Sequence, residues 1–470
     1  MVKRSLNEEV GQRLLKGLDL FCLTTIGFCA GVAAAPNADA ATGDELVFFI
    51  LTLTCLCIFV MRGIGLYEAR AQARFSSSIA KSLAVIFILG ISAGILAPLL
   101  GLHLGPIWPK GWLGAGAFYI VTTRLAMWLA TRHASPKGRY RQRVAIVGGG
   151  KAAEDAITTL ENSQGLEIEI IGLFDDRYDN RSPASIRRHK KLGKIIDLAD
   201  YARAHAVDLV IVAIPISAEQ RLLQILKRIW ELPVDIRVSG QAAQLRLSQR
   251  AYSYLGDLPL LPVFDRPLSH WNEFLKDVLD RMIALVALVL LTPVLAGVAL
   301  AVRLESKGPV IFKQKRFGFN NELIEVYKFR SMFTDKSDAT ATKLVTKNDS
   351  RVTRVGRIIR KTSLDELPQL VNVIKGQLSL VGPRPHATQA KAAGGLYDEV
   401  VEGYFARHRV KPGITGWAQI NGWRGETDTL EKIEQRVKHD LEYIDRWSLG
   451  LDLYILMKTP FALLKSENAF

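Results

Sequence analysis

The chain has 470 residues, 49% of them hydrophobic, with 61 Lys+Arg against 46 Asp+Glu and a formal net charge of +15. A charged fraction of 23% with 8% aromatics excludes a disordered or low-complexity chain. At roughly 100–200 residues per domain the length allows about three domains. The mean hydropathy of +0.14 is high for a soluble protein and points to a few concentrated apolar runs. All four cysteines, Cys22, Cys29, Cys55 and Cys57, lie inside those runs near the start of the chain. They are too few for a disulfide framework and are not spaced as zinc ligands, so they read as small apolar packers.

Four runs approach the length of about 20 apolar residues that crosses a bilayer: Leu14–Ala35, Leu46–Met61, Ile79–Leu100 and Trp112–Ala130. The second is short and the fourth carries Arg124. No convincing small-residue cleavage site follows the first, so a signal peptide is not expected. Lys3, Arg4, Arg13 and Lys16 precede the first run, and the loop 36–45 has no Lys or Arg. Arg62, Arg70, Arg74 and Lys81 fill the next loop, only Lys110 the one after, and Arg132, Lys137, Arg139, Arg141 and Arg143 follow the fourth run. That alternation places both ends of a four-helix unit, residues 1–135, on the cytoplasmic side of the membrane.

From Arg143 the texture becomes alternating strands and helices, predicting a Rossmann-like α/β domain over 139–262. Strands are expected at Arg143–Val147, Ile168–Phe174, Asp208–Ile214 and Val234–Val238, with helices from Lys151 to Leu160 and over Ala218–Glu231. Gly148-x-Gly150-x-x-Ala153 has the spacing of a dinucleotide turn, and Asp175 stands where a ribose hydroxyl would be read. A tight turn kept for packing explains the same residues equally well.

A fifth apolar run, Met282–Val302, has 21 residues without a charge. Cations flank both sides: Lys276 and Arg281 before it, Arg303, Lys307, Lys313, Lys315 and Arg316 after it. Thr292-Pro293 sits in its middle, and Pro removes a helix hydrogen bond at a cost of about 3 kcal/mol unless the helix bends. The reading is a broken helix that enters the membrane and returns to the same face. A straight fifth span would place a strongly basic domain outside.

Four clusters follow. The first is Lys328-Phe329-Arg330-Ser331-Met332, with Asp335 behind it. The second is a basic ladder, Lys343, Lys347, Arg351, Arg354, Arg357, Arg360 and Lys361, alternating with Val352, Val355, Ile358 and Ile359; on a helix this makes one cationic and one apolar stripe. It serves anionic headgroups or substrate phosphates equally well. The ladder runs into Ser363-Leu364-Asp365-Glu366-Leu367-Pro368, where Ser363 and Glu366 have capping-box spacing. Asp365 and Glu366 are then expected at a helix N-terminus beside cations, both ionised, as nucleophile or Mg²⁺ ligand rather than general acid. The third is Gly382-Pro383-Arg384-Pro385, which aims one guanidinium from a stiff backbone. The fourth, Lys411 to Gly422, holds Trp417, either a base or sugar contact or a core anchor. Trp447–Met457 reads as an interfacial helix.

Together KFRSM, TSLDELPQL, SLVGPRP and KPGITGWAQING resemble the bacterial sugar transferases that act as polyprenyl-phosphate hexose-1-phosphate transferases, over about 271–465. The preceding layout is similar to their large members, the undecaprenyl-phosphate glucose phosphotransferases of exopolysaccharide, capsule and O-antigen assembly. The resemblance implies a mainly α-helical monotopic catalytic domain over 271–470 on a re-entrant helix broken at Thr292-Pro293, where the family has Ser-Pro. It implies that Asp365 of the Asp365-Glu366 dyad attacks the sugar-bearing phosphate of a UDP-hexose, releasing UMP, before undecaprenyl phosphate takes the sugar phosphate. Mg²⁺ would lie at Asp365 and Glu366; Arg360 and Arg384, with Lys328 and Arg330, would contact phosphates. The stretch 424–429 is like the glucose-type members, which favours UDP-glucose over UDP-galactose. Expected partners are these two substrates and membrane lipids; a homo-oligomer stays open.

Two rival readings carry less. A membrane-tethered NAD-dependent nucleotide-sugar dehydratase or epimerase would need a Tyr-x-x-x-Lys pair, and Tyr454–Lys458 is the one instance, far from the predicted sheet. A channel filter motif is absent from the sequence, and much of the positive charge belongs to inside loops rather than to nucleic-acid binding.

Overall fold

The computed structural model describes residues 8–34, 43–67, 75–99, 107–134, 142–163, 168–177, 183–215, 218–240, 253–255, 257–334, 349–386, 391–392, 395–397, 401, 403–425 and 429–465. Lys3, Arg4, Arg70, Arg74, Lys137, Arg139, Arg141, Asp335, Lys343, Lys347 and the stretch 426–428 lie outside them. The chain forms two compact units, Lys3–Arg141 and Gln142–Phe470.

The first unit is four helices: α1 (Glu8–Ala34), α2 (Gly43–Gly63), α3 (Phe75–Leu99) and α4 (Ile107–Ala134). The runs Leu46–Met61 and Trp112–Ala130 lie within α2 and α4, and the other two, as far as Ala34 and Leu99, lie within α1 and α3. Their inner faces bury Leu23, Ile50, Met61, Ile86, Trp108 and Trp112, while Phe21, Phe48, Phe59 and Phe118 point outward, 70–74% exposed. Apolar residues on the outside as well as the inside are what a lipid solvent requires. By length and composition α1, α2 and α3 can each cross a membrane. The fourth helix is long enough but carries Arg124, whose charge is met within the unit. Its Nη2 donates to Asp19 Oδ2 at 2.8 Å, and Tyr67 and Tyr119 donate their hydroxyls to the same carboxylate at 2.8 and 2.9 Å. A buried charge of this kind must be paired.

The second unit opens with an eight-stranded sheet. Its strands are β1 (Gln142–Val147), β2 (Ile168–Phe174), β3 (Ser185–Ile186), β4 (His189–Gly193), β5 (Leu209–Val212), β6 (Asp235–Ser239), β7 (Ser253–Leu255) and β8 (Leu258–Phe264), in the order β3-β4-β2-β1-β5-β6-β8-β7. The run β4-β2-β1-β5-β6 is parallel, and antiparallel strands close both edges. Helices α5 (Lys151–Asn162), α6 (Asp197–Ala204) and α7 (Glu219–Ile229) cross between strands, and cores on both faces explain why β1 and β5 are almost wholly apolar. The four predicted strands and two predicted helices are present; β3, β4, β7, β8 and α6 are additions.

The chain then enters α8 (His270–Glu305), 36 residues long and apolar enough to cross a membrane. Where a break was expected, the helix continues: Pro293 lies inside it, and the Thr292 hydroxyl donates to the Leu288 carbonyl at 2.8 Å. A Pro needs only its own missing N–H and a freed carbonyl accommodated, and a bend without interruption does that. One stripe of α8 faces the rest of the unit. Lys276, Asp280, Ala284 and Val302 are buried, and Ala287, Leu288, Leu291, Leu295, Val298 and Ala299 pack against neighbouring cores. The spacing of three and four is that of one helix face. The opposite face bears Met282, Leu285, Val286, Val289, Leu290, Leu300 and Leu304, each more than half exposed.

After α8 come the hairpin β9 (Ile311–Phe317) and β10 (Leu323–Phe329), helices α9 (Arg354–Lys361) and α10 (Gln369–Ile374), and strands β11 (Ser379–Val381), β12 (Lys391–Ala392), β13 (Gly395–Leu396) and β14 (Gly413–Thr415), with β11 parallel to β14. Two further helices, α11 (Trp417–Ile420) and α12 (Leu430–Asp445), precede the last, α13 (Leu449–Lys465). That last helix extends the predicted interfacial segment, with Leu453, Tyr454, Met457 and Phe461 exposed.

Candidate active site

Of the predicted functional residues, Asp365, Glu366, Lys328, Arg360 and Arg384 converge on the short connection between α9 and α10. Thr353 caps α9 by accepting from Gly356 N at 2.9 Å, and the Glu305 carboxylate accepts from Arg354 N at 2.7 Å, fixing this helix to the end of α8. Val355 and Ile359 turn inward, packing with Val302 and Phe329, while Arg354, Arg357, Ile358 and Lys361 are exposed. The expected cationic stripe therefore exists from Arg354 onward. Arg351 does not join it, because its guanidinium pairs with Asp349 at 2.6 Å.

Beyond α9 the chain turns through Ser363, whose φ of 58° is unusual for a residue with a side chain. A single 3-10 turn, Leu364–Glu366, then carries both carboxylates. The predicted capping box does not form. Ser363 makes no capping bond, and its hydroxyl instead accepts from Arg424 Nη2 at 2.5 Å. The next helix begins only at Gln369, after Pro368, and has six residues. Asp365 and Glu366 thus precede a helix rather than start one, so their charges are met by side chains and not by a helix dipole.

Those charges are met unequally. Glu366 Oε1 accepts from Lys328 Nζ at 2.9 Å, and Arg384 forks across both oxygens, with Nη1 to Oε2 at 3.1 Å. Burial would raise this carboxyl, but Arg384 and Lys328 outweigh it and hold it well below the usual range. Asp365 is 8% exposed, and no described residue donates a hydrogen bond to it. Burial first, and the Glu366 charge second, push its pKa up to about 6, against the pull of Lys328, Arg360 and Arg384. Both carboxylates were expected to be ionised beside cations; Glu366 is paired in that way, while Asp365 is open and has a raised pKa that the spacing did not announce.

Lys328 reaches the turn because it shares one face of the hairpin with Gln314, Arg316 and Val326. Its pKa is lowered, chiefly by burial. Asn372 of α10 ties that strand to the turn, accepting from Tyr327 N at 3.0 Å and donating to Glu325 O at 2.7 Å. Arg384 is aimed by a backbone crossing: Gly413 N donates to Pro383 O at 3.0 Å, and Gly382 N to Thr415 O at 2.9 Å. A Cβ on Gly413 would stand 2.1 Å from Gly382 N, so only glycine permits the approach. Arg360 keeps a buried Nη1 with no partner among the described residues.

Arg330 goes elsewhere. Its guanidinium donates to Val302 O, Ser306 O and Lys307 O at 3.4, 2.6 and 3.0 Å, closing the carbonyl end of α8 rather than facing the carboxylates. Trp417 is an anchor in the core, its indole donating to Glu442 at 3.2 Å. Sequence reasoning passed over Arg316, which lies behind Arg384, contacts Gln314 and the Pro385 carbonyl, and has its pKa lowered to about 10 by burial. It also missed Arg407, which is fully buried against Asp440 at 2.6 Å and donates to Arg384 O at 2.7 Å. Neither sits in a recognisable spacing; only the folded hairpin and loops bring them in.

The Gly-rich turn of the parallel sheet is present, with Gly148 and Gly150 at φ 112° and 77°. Asp175, however, is buried and paired with Arg177 at 2.8 Å, and the same guanidinium reaches Gly149 O at 3.4 Å. The carboxylate expected to read a ribose is already matched. Tyr454 and Lys458 lie on the C-terminal helix α13, with the Tyr454 ring 6.4 Å from that of Trp417, which leaves the dehydratase reading without its proton relay.

Comparison with known proteins places the chain in a family. A family model described as bacterial sugar transferase matches residues 271–466, and one described as a CoA-binding domain matches 62–240. The chain is 38% identical over 355 residues to the UDP-glucose:undecaprenyl-phosphate glucose-1-phosphate transferase of Escherichia coli (strain K12), covering 76% of this chain and 74% of that one. It is 41% identical over 333 residues to the undecaprenyl-phosphate glucose phosphotransferase of Komagataeibacter xylinus, covering 71% and 61%. Over 399 residues it is 32% identical to the UDP-glucose:undecaprenyl-phosphate glucose-1-phosphate transferase of Xanthomonas campestris pv. campestris, covering 83% and 82%. With its matched length and its motifs gathered at one turn, this membrane protein belongs to the bacterial sugar transferase family.

Proposed function

We propose that the protein transfers glucose 1-phosphate from UDP-glucose to undecaprenyl phosphate and releases UMP. The observation that carries this reading is the open Asp365 carboxylate, buried beside Arg360 on a turn packed against an apolar membrane helix. Asp365 Oδ attacks the phosphorus next to the sugar; the bond from that phosphorus to the bridging oxygen breaks, and UMP leaves with the electron pair. An oxygen of undecaprenyl phosphate then attacks the same phosphorus, and the bond to Asp365 breaks to restore the carboxylate. Glu366 keeps Arg384 and Lys328 in place, and Arg360 offers an unpaired donor to phosphate oxygens.

Mg²⁺ fits this site in a limited way. Among the described residues no group of three or more metal-type side chains is present, and Asp365 is the open oxygen donor beside an already paired Glu366. An ion held by Asp365 and completed by substrate phosphates and water would supply charge neutralisation on the diphosphate.

Purified protein incubated with Mg²⁺, undecaprenyl phosphate and labelled UDP-glucose or UDP-galactose tests the reading. Lipid-linked label is expected from UDP-glucose; label from UDP-galactose alone would overturn the donor, and label from neither would overturn the reaction.

The same reading places the second unit on the cytoplasmic face of the inner membrane, with α8 entering and leaving the bilayer on that face. Support comes from the contacts along α8. Lys276, near its start, binds Asp452 at 2.6 Å, and Arg330 binds the carbonyls at its end, so one folded unit holds both termini. Contacts from one folded unit to both ends favour a same-face arrangement over a crossing. Single cysteines at the exposed Arg281 and Lys307 should both react with a membrane-impermeant maleimide only from the cytoplasmic side; labelling of the second from outside would establish a crossing.

A further inference from the structure

Glu366 takes up two of the cations around the reactive turn, which leaves the question of what receives the donor diphosphate. Two guanidinium nitrogens at this turn are buried and unpartnered among the described residues, Arg360 Nη1 and Arg424 Nη1. The first was expected at the site; the second was not. Arg424 sits on the loop after α11, and its other nitrogen, Nη2, donates to the Ser363 hydroxyl, two residues from Asp365. Its pKa is lowered, by burial and by Arg384, while Glu366 and Asp365 pull the other way, so its charge lies within reach of both carboxylates.

The loop is held from behind. Arg436 on α12 is buried, and its Nε donates to Trp423 O at 3.1 Å and its Nη2 to Gly425 O at 3.0 Å. One side chain thus grips the carbonyls on either side of Arg424. A guanidinium fork is suited to this, since two donors in a fixed plane leave the intervening residue little freedom. A desolvated N–H left without an acceptor is costly unless a ligand supplies one.

We propose that Arg424 is a ligand for the diphosphate of the sugar nucleotide, acting with Arg360, and that Arg436 is the residue that positions it. This rests on the transferase reading above. The diphosphate would then be held by these two guanidinium groups, leaving the Glu366–Arg384–Lys328 group to fix the turn itself.

The test uses the full chain carrying Asp365→Asn, so that UDP-glucose binding is read without turnover. Adding Arg424→Gln should weaken UDP-glucose binding about 10- to 100-fold, the range for losing a hydrogen bond to a charged group. Adding Arg436→Lys should weaken it similarly, and the two together should be no worse than Arg424→Gln alone. In the active chain both changes should raise KM for UDP-glucose while KM for undecaprenyl phosphate stays put. Unchanged UDP-glucose affinity in Arg424→Gln overturns the ligand role. A normal affinity in Arg436→Lys, or fully additive losses in the pair, overturns the positioning role. Absence of UDP-glucose binding to both the native chain and the Asp365→Asn parent would instead overturn the transferase reading, and the inference with it.

Discussion

Replacing Asp365 with Asn should reduce UMP release from UDP-glucose by about 10⁴-fold or more, the scale on which losing a covalent nucleophile is felt. The change is nearly isosteric, and no described hydrogen bond is made by the native carboxylate, so the fold should be unaffected. Removing the Asp365 charge should also leave Glu366 with less repulsion, which favours the turn. In the parent enzyme, acid quenching after brief exposure to sugar-labelled donor should trap label on Asp365. Label on another residue, or brisk UMP release by the Asn variant, would remove the covalent role.

Glu366→Gln should be the next largest loss, about 10²-fold in kcat, because Arg384 and Lys328 lose their charge-assisted partner inside the site. Its more diagnostic effect is on pH dependence. Attack needs an ionised Asp365, so the rate of the parent should rise with pH through about 6. The Glu366 charge is one cause of that elevated value, after burial, while Arg384 and Lys328 oppose it. Neutralising Glu366 removes the repulsion and frees both cations to act on Asp365. The Asp365 pKa should therefore fall, and the acidic limb of the rate profile should move to lower pH even as the maximum drops. A limb that stays in place, or moves upward, would mean that another group controls it.

Much of the fold was legible because its patterns are local. Apolar runs with alternating loop charge give α1 to α4, and strand–turn–glycine rhythm gives β1, β2, β5 and β6. The short strands β3, β4 and β7, at or next to the sheet edges, were not legible, since two to five residues carry little periodicity. At the site, the Asp365-Glu366 pair, Arg360, Lys328 and Arg384 announced themselves through spacing. What the sequence could not carry was the division of labour among them. Ser363 adopts a left-handed conformation that no capping rule predicts, and this replaces a helix start by a single turn. Arg330, two residues from Lys328, is drawn to the carbonyl end of a helix distant in sequence. Arg316, Arg407 and Arg436 enter from three separate elements, so only tertiary packing brings them near Arg384.

Leu364, the neighbour of Asp365, packs in the same small core as Leu295, Val298 and Val302 of α8. The reactive residue is thus keyed directly to the membrane-facing helix, with no hinge in between. In the proposed reaction α8 acts like a keel fixed to a hull: it would set the height at which Asp365 rides above the lipid, and the polyprenyl chain would have to bring its phosphate to that level.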